Sequence, residues 1–132
     1  MIVIDASAAV ELLLGRGPSG AIADRIGRAG ESLRAPHLLD PEVCHALGSL
    51  SRRGQVTAER AAEAVEDLLE MPILRYPHAP LLARMWELRR NLSSFDAAYV
   101  ALAEALDVPL VTTDAALARA PGHRARIELF AA

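Results

Sequence analysis

The first five residues constrain the fold more than any other stretch. Ile2-Val3-Ile4 is a short β-branched run that stops on an acid, Asp5, and leads directly into a helical pattern. A strand with no polar alternation is buried on both faces, and that requires helices on both sides of its sheet. The arrangement returns near the other end, where Val108–Thr112 reads as a strong strand followed by Asp114. Between them the pattern keeps alternating. Strands are predicted at Ser32–Ala35 and Pro72–Tyr76, and a last one at Arg126–Leu129.

Helices fill the intervals. Ser7 is predicted to cap a helix to about Leu14, which Gly15-Arg16-Gly17-Pro18 stops. Ser19 to about Arg28 has helical periodicity. Asp40-Pro41 reads as an N-cap with a first-turn proline, opening a helix to about Arg53. Thr57 caps a helix through Glu70, and a further helix is predicted over Pro80 to about Arg90. Ser93 or Ser94 caps a helix through Leu106, and Asp114 caps a short one to about Arg119. The helix pair at about 38–70 is the longest excursion between strands and is expected to stand out as a clip or arm. The alternation predicts an α/β domain, a parallel sheet of four to five strands flanked by helices, occupying 1–132 as one unit. At 132 residues and 52% apolar, the chain has the side chains for a real core.

Composition excludes several chemistries. The chain has no Lys, so a Walker A phosphate loop and Schiff-base chemistry cannot operate in their usual form. One Cys, Cys44, forbids an internal disulfide; it reads as a buried helix residue. No stretch reaches the roughly 18 apolar residues of a membrane span, and no basic region precedes the first apolar run. A cytoplasmic protein is the expectation. The five aromatics are too scattered for a base-stacking platform. The four His show no zinc-ligand spacing.

Four acids have suggestive positions. In an open parallel sheet, ligands sit outside the carboxyl ends of the strands. Asp5 and Asp114 follow strands and project there. Glu42 and Asp96 lie in first turns of helices that start at the same edge. Acids in first turns also favour the helix dipole, so each taken alone has a structural reading as well. Together, four carboxylates repel unless a divalent cation sits among them. One or two Mg²⁺ or Mn²⁺ ions would lower the pKa of a bound water and clamp a phosphodiester. Ser7 and Thr112 stand two residues from Asp5 and Asp114 and would orient a carboxylate through their hydroxyls. Arg52-Arg53, Arg89-Arg90 and Arg124/Arg126 are the basic clusters. Arg89 and Arg90 are the better candidates for gripping RNA, because they close a helix just before Asp96.

The motifs resemble a known family. Met1-Ile2-Val3-Ile4-Asp5-Ala6-Ser7-Ala8 is similar to the opening of PIN-domain ribonucleases, the VapC type of toxin in bacterial toxin–antitoxin pairs. Asp40-Pro41-Glu42-Val43, the block Asn91–Glu104 around Asp96, and Pro109-Leu110-Val111-Thr112-Thr113-Asp114 resemble the later motifs, in order and at family spacing. The resemblance implies an α/β/α fold and Mg²⁺- or Mn²⁺-dependent endoribonuclease activity. It matches Asp5, Glu42, Asp96 and Asp114 to the acidic positions, with Ser7 and Thr112 as their polar companions. It implies a homodimer and a small antitoxin that blocks the site, with DNA bound only through that antitoxin. One departure is His45, where relatives often carry Asn.

Two other readings compete. A catalytically weak module of the same fold would serve mainly as the antitoxin's partner in a repressor complex. Phosphoryl transfer through Asp5 as nucleophile suffers from the missing Lys and from Ser7 standing where a second Asp is needed. The net charge of −3 looks unfriendly to nucleic acid. Setting the four candidate ligands aside leaves fourteen arginines against thirteen acids, so that objection falls.

Overall fold

A computed structural model describes residues 1–28 and 30–131. Five strands form one wholly parallel sheet: β1 (Ile2–Ile4), β2 (Leu33–Pro36), β3 (Ile73–Tyr76), β4 (Leu110–Thr112) and β5 (Ile127–Leu129), in the spatial order β3-β2-β1-β4-β5. The chain leaves β1 toward β2 and β3, then returns to build β4 and β5 on the other side of β1. The order therefore reverses between β1 and β4, and a crevice opens at the carboxyl ends of those two strands.

Central position follows from composition. Ile2, Val3 and Ile4 are fully buried, as are Leu110 and Val111 beside them. The register pairs Val3 with Leu110 and Ile4 with Val111, and the Asp5 amide still donates to the Val111 carbonyl at 3.2 Å. That last bond carries the pairing one residue past β1 and sets Asp5 beside Thr112.

Two helical groups flank the sheet. α1 (Ala6–Leu14) packs with α2 (Ser19–Arg28), α3 (Leu39–Arg52) and α4 (Ala58–Glu70). α5 (Leu82–Glu87), entered through a 3₁₀ turn at Ala79–Leu81, packs with α6 (Ser94–Leu106). α6 is buried from Ala97 through Ala103, where its small side chains bring it close to β1 and β2. α7 (Ala115–Arg119) covers the end of the sheet at β4 and β5. Among the described residues no helix is long and apolar enough to cross a membrane.

Several local expectations change. α3 and α4 pack on α1 as well as on each other, so the pair widens a layer and does not stand free as an arm. α1 is capped by Asp5 and not by Ser7: the Asp5 carboxylate accepts from the Ala8 amide at 2.9 Å. α3 starts at Leu39 without a cap from Asp40. The Asp40 carboxylate turns to Arg75 on β3 and accepts two bonds from its guanidinium, at 2.7 and 2.9 Å. His78 serves the helix end instead, its Nε2 accepting from the Leu38 amide at 2.9 Å. The helix predicted to Arg90 ends at Glu87. Cys44 is exposed, because α3 turns Val43, Leu47 and Leu50 to the core.

Candidate active site

Asp5 and Thr112 are buried polar residues, 6% and 0% exposed. They stand side by side where β1 and β4 end. Each acceptor on Asp5 is served. Oδ1 accepts from Ser7 Oγ at 2.7 Å and from the Ala8 amide, and Oδ2 accepts from Thr112 Oγ1 at 2.5 Å. Thr112 Oγ1 also accepts from the Asp114 amide at 3.0 Å. Ser7 Oγ accepts from the Thr113 amide at 3.1 Å. Two hydroxyls thus tie the end of β1 to the turn after β4. Such bonds are what make a buried carboxylate tolerable.

Burial still raises the Asp5 carboxyl above the ordinary carboxylate range; bonds from Thr112, Ala8 and Ser7 oppose it, and the Asp96 charge adds to it. Asp96 sits in the first turn of α6, where Ser93 caps the helix by accepting from the Asp96 amide at 3.1 Å. Its carboxyl is also raised, first by burial, then by the negative charges of Asp114 and Glu42. These influences place Asp5, Glu42, Asp96 and Asp114 in one neighbourhood.

Asp114 caps α7, its Oδ1 accepting from the Ala116 and Leu117 amides at 2.9 and 3.3 Å. Oδ2 is left for another partner. Glu42, in the first turn of α3, accepts a 2.6 Å bond from the Tyr99 hydroxyl. Tyr99 is a residue that sequence reasoning passed over. It lies one turn beyond Asp96 in an apolar run of α6, and its polar tip within that run is the signal that could have found it. Burial and the bond to Glu42 push its hydroxyl pKa well up, so it remains a donor.

Among the described residues no arginine is ion-paired with any of these four acids. The ion pairs among the described residues engage Glu11, Glu31, Asp40, Glu104, Asp107, Glu128 and exposed helix acids, and none of the four. The four acids also do not form a ready cage. Among the described residues no three His, Cys, Asp or Glu side chains are grouped closely enough to hold an ion as they stand. Glu42 is bonded to Tyr99 and Asp114 to the start of α7.

From this edge a groove of about 760 Å³ runs between α1 and α3. Ser7, Glu42, Phe95 and Thr113 are among its lining residues, and so are Arg16 and Arg53; of the four acids only Glu42 lines it. His45 lines it as well, one turn beyond Glu42. Arg89 and Arg90 do not. Arg89 lies over the exposed Trp86 ring, 4.4 Å from its centroid, and donates to the Trp86 carbonyl.

The PIN domain family model matches residues 2–123. Ribonuclease VapC1 of Mycobacterium tuberculosis is 46% identical over 129 residues, covering 96% of each chain. Among solved structures, PAE2754 from Pyrobaculum aerophilum superposes at a TM-score of 0.71 with 26% identity, over 96% of this chain and 81% of that one. VapBC2 from Rickettsia felis, bound to a DNA fragment from its promoter, superposes at 0.69 with 14% identity, over 98% and 99%; it shows the fold alone. With the family model spanning residues 2–123 and the VapC1 relative at 46% identity over nearly the whole of both chains, the chain belongs to the PIN domain family, among its VapC ribonucleases.

Proposed function

We propose that the chain is the toxin of a toxin–antitoxin pair, an endoribonuclease that hydrolyses RNA phosphodiesters with the aid of Mg²⁺ or Mn²⁺. One observation supports this: Asp5 and Asp114 follow β1 and β4 at the sheet's switch point, the charges of Asp114 and Glu42 reach Asp96, and among the described residues none of the four acids is ion-paired. An all-oxygen donor set, in which burial raises the Asp5 and Asp96 carboxyls, suits a hard divalent ion, which keeps several of its own waters. Asp5, Glu42, Asp96 and Asp114 would hold one or two such ions. When bound, the ion supplies an acidified water and neutralises charge on the phosphate.

The chain's own residues divide the work. Asp5 is held rigid by Ser7, Thr112 and the Ala8 amide, so its carboxylate has one orientation. Asp114 has one oxygen tied to α7 and one to offer. Tyr99 holds Glu42 at the margin of the site. Asp96, half-buried among like charges, gains most when they are neutralised.

The name of the VapC1 relative supports RNA as substrate, and the toxin–antitoxin resemblance of the motifs implies an antitoxin protein as partner. A homodimer, a cytoplasmic location, and DNA contact only through the antitoxin belong to the same proposal. All four acids are present in the sequence and, among the described residues, none is ion-paired, which disfavours an inactive module. The test is incubation of the purified protein with cellular RNA. Cleavage with Mg²⁺ or Mn²⁺ that stops on adding EDTA supports the reading. Cleavage indifferent to EDTA, or no cleavage by folded, metal-saturated protein, refutes it.

A further inference from the structure

The groove has two chemically different ends, and they lie on one helix face. Glu42, His45, Ser49 and Arg53 are spaced by three, four and four residues along α3, and all four line the groove. A period of 3.6 residues puts them in one stripe, with Val43, Leu47 and Leu50 turned to the core. Eleven residues separate Glu42 from Arg53, about 16 Å along the axis. Val10, Ala46 and Leu50 give the groove an apolar floor between those ends.

The two arginines at the far end differ. Arg16 is neutralised by Glu11, to which it donates at 3.0 and 3.2 Å. Arg53 makes no ion pair among the described residues; its Nε only approaches the Ser49 carbonyl at 3.4 Å. An unpaired guanidinium is a fork of donors that suits a phosphate.

We propose that Arg53 is a positioning residue that grips the backbone of a single-stranded RNA a few nucleotides from the bond being cut. This rests on the ribonuclease reading of the acidic end. One phosphate lies at the carboxylates, and the strand follows the α3 stripe over the apolar floor. A second phosphate meets Arg53. Arg53 thereby selects the register of the strand and takes no part in the chemical step.

The test is binding of a short labelled single-stranded oligoribonucleotide to the full chain in EDTA, where nothing is cut, over a salt series. Arg53→Gln should weaken binding about tenfold, as loss of a charged phosphate contact does. It should also flatten the slope of log affinity on log salt by about 0.7. Arg53→Lys should restore the slope, and Arg52→Gln, one residue away and outside the groove lining, should change neither quantity. With metal present, Arg53→Gln should raise KM and leave kcat unchanged. Affinity and slope equal to the unsubstituted protein, or an equal loss in Arg52→Gln, would overturn the proposal. So would loss of antitoxin binding with RNA binding intact, which would assign this end of the groove to the protein partner. Failure of the unsubstituted, metal-loaded protein to cut RNA would refute the ribonuclease reading separately, since the Arg53 measurement is made without metal.

Discussion

Replacing Thr112 by Val exchanges a hydroxyl for a methyl of the same shape at a fully buried position. Two things are lost. Asp5 Oδ2 loses its 2.5 Å donor, and the Asp114 amide loses its acceptor at 3.0 Å. A bond to an ionised carboxylate contributes about 1.5–3 kcal/mol, and a stranded part-buried amide costs about 1 kcal/mol more. The expected destabilisation at neutral pH is about 3 kcal/mol, a large part of the ~5–15 kcal/mol a domain has. The sign with pH follows from Asp5. Its native carboxyl already lies above the ordinary range, and losing the Thr112 donor raises it further. The ionised form is the one Thr112 favours, so the penalty is full above the variant's further-raised Asp5 pKa and shrinks as pH falls from there to the original protein's own raised pKa. Urea unfolding of metal-free protein at neutral and at acidic pH measures both. Thr112→Ser is the control: it keeps the hydroxyl, costs about 1 kcal/mol for the methyl, and keeps the pH profile of the original protein. A Val variant within about 0.5 kcal/mol of the original at neutral pH, the scatter of a neutral substitution, would refute the argument.

Further outcomes follow from the same geometry. Mn²⁺ at a hundredfold excess over its Kd should add about 2.7 kcal/mol, or about 10 °C in Tm for a chain of this length, and Asp5→Asn should abolish most of that shift in a thermal melt. Tyr99→Phe removes the 2.6 Å bond to Glu42; it should cost about 1–2 kcal/mol in unfolding, and RNA cleavage should fall at limiting Mn²⁺ and recover as Mn²⁺ is raised. Asp96→Asn should stabilise the metal-free protein at neutral pH, because ionising a carboxyl raised by burial and by Asp114 and Glu42 disfavours the fold. That gain should vanish as pH falls through the raised native pKa toward ordinary carboxylate values, where Asp96 is protonated anyway, and parallel melts of both proteins would show it.

Much of this architecture is legible in the residues. A short β-branched run bounded by an acid has one comfortable place in an α/β fold, so Asp5 and Asp114 could be set at the sheet's carboxyl edge without coordinates. Caps made by adjacent residues, such as Thr57, Ser93 and Asp114, were equally readable. What the sequence hid depends on distant partners. Asp40 reads as a cap until Arg75, on another strand, takes its carboxylate and His78 takes over the helix end. Ser7 reads as a cap until its hydroxyl is found spanning Asp5 and the Thr113 amide. Tyr99 and Glu42 are 57 residues apart, and only the packing of α3 toward α6 reveals their bond. Cys44 failed for another reason: a helix with one core face exposes its opposite side, and Val43 and Leu47 had already claimed the buried one.

The central claim is that Asp5, Glu42, Asp96 and Asp114 hold the divalent ion that RNA hydrolysis requires. Anomalous diffraction from crystals soaked in Mn²⁺ tests it most directly. The account predicts a Mn²⁺ peak against the Asp5 carboxylate, with Asp96 and Asp114 also in its coordination sphere and Glu42 reached directly or through water. Density for Mn²⁺ elsewhere on the chain, or none at this edge in crystals of protein that cuts RNA, would contradict it.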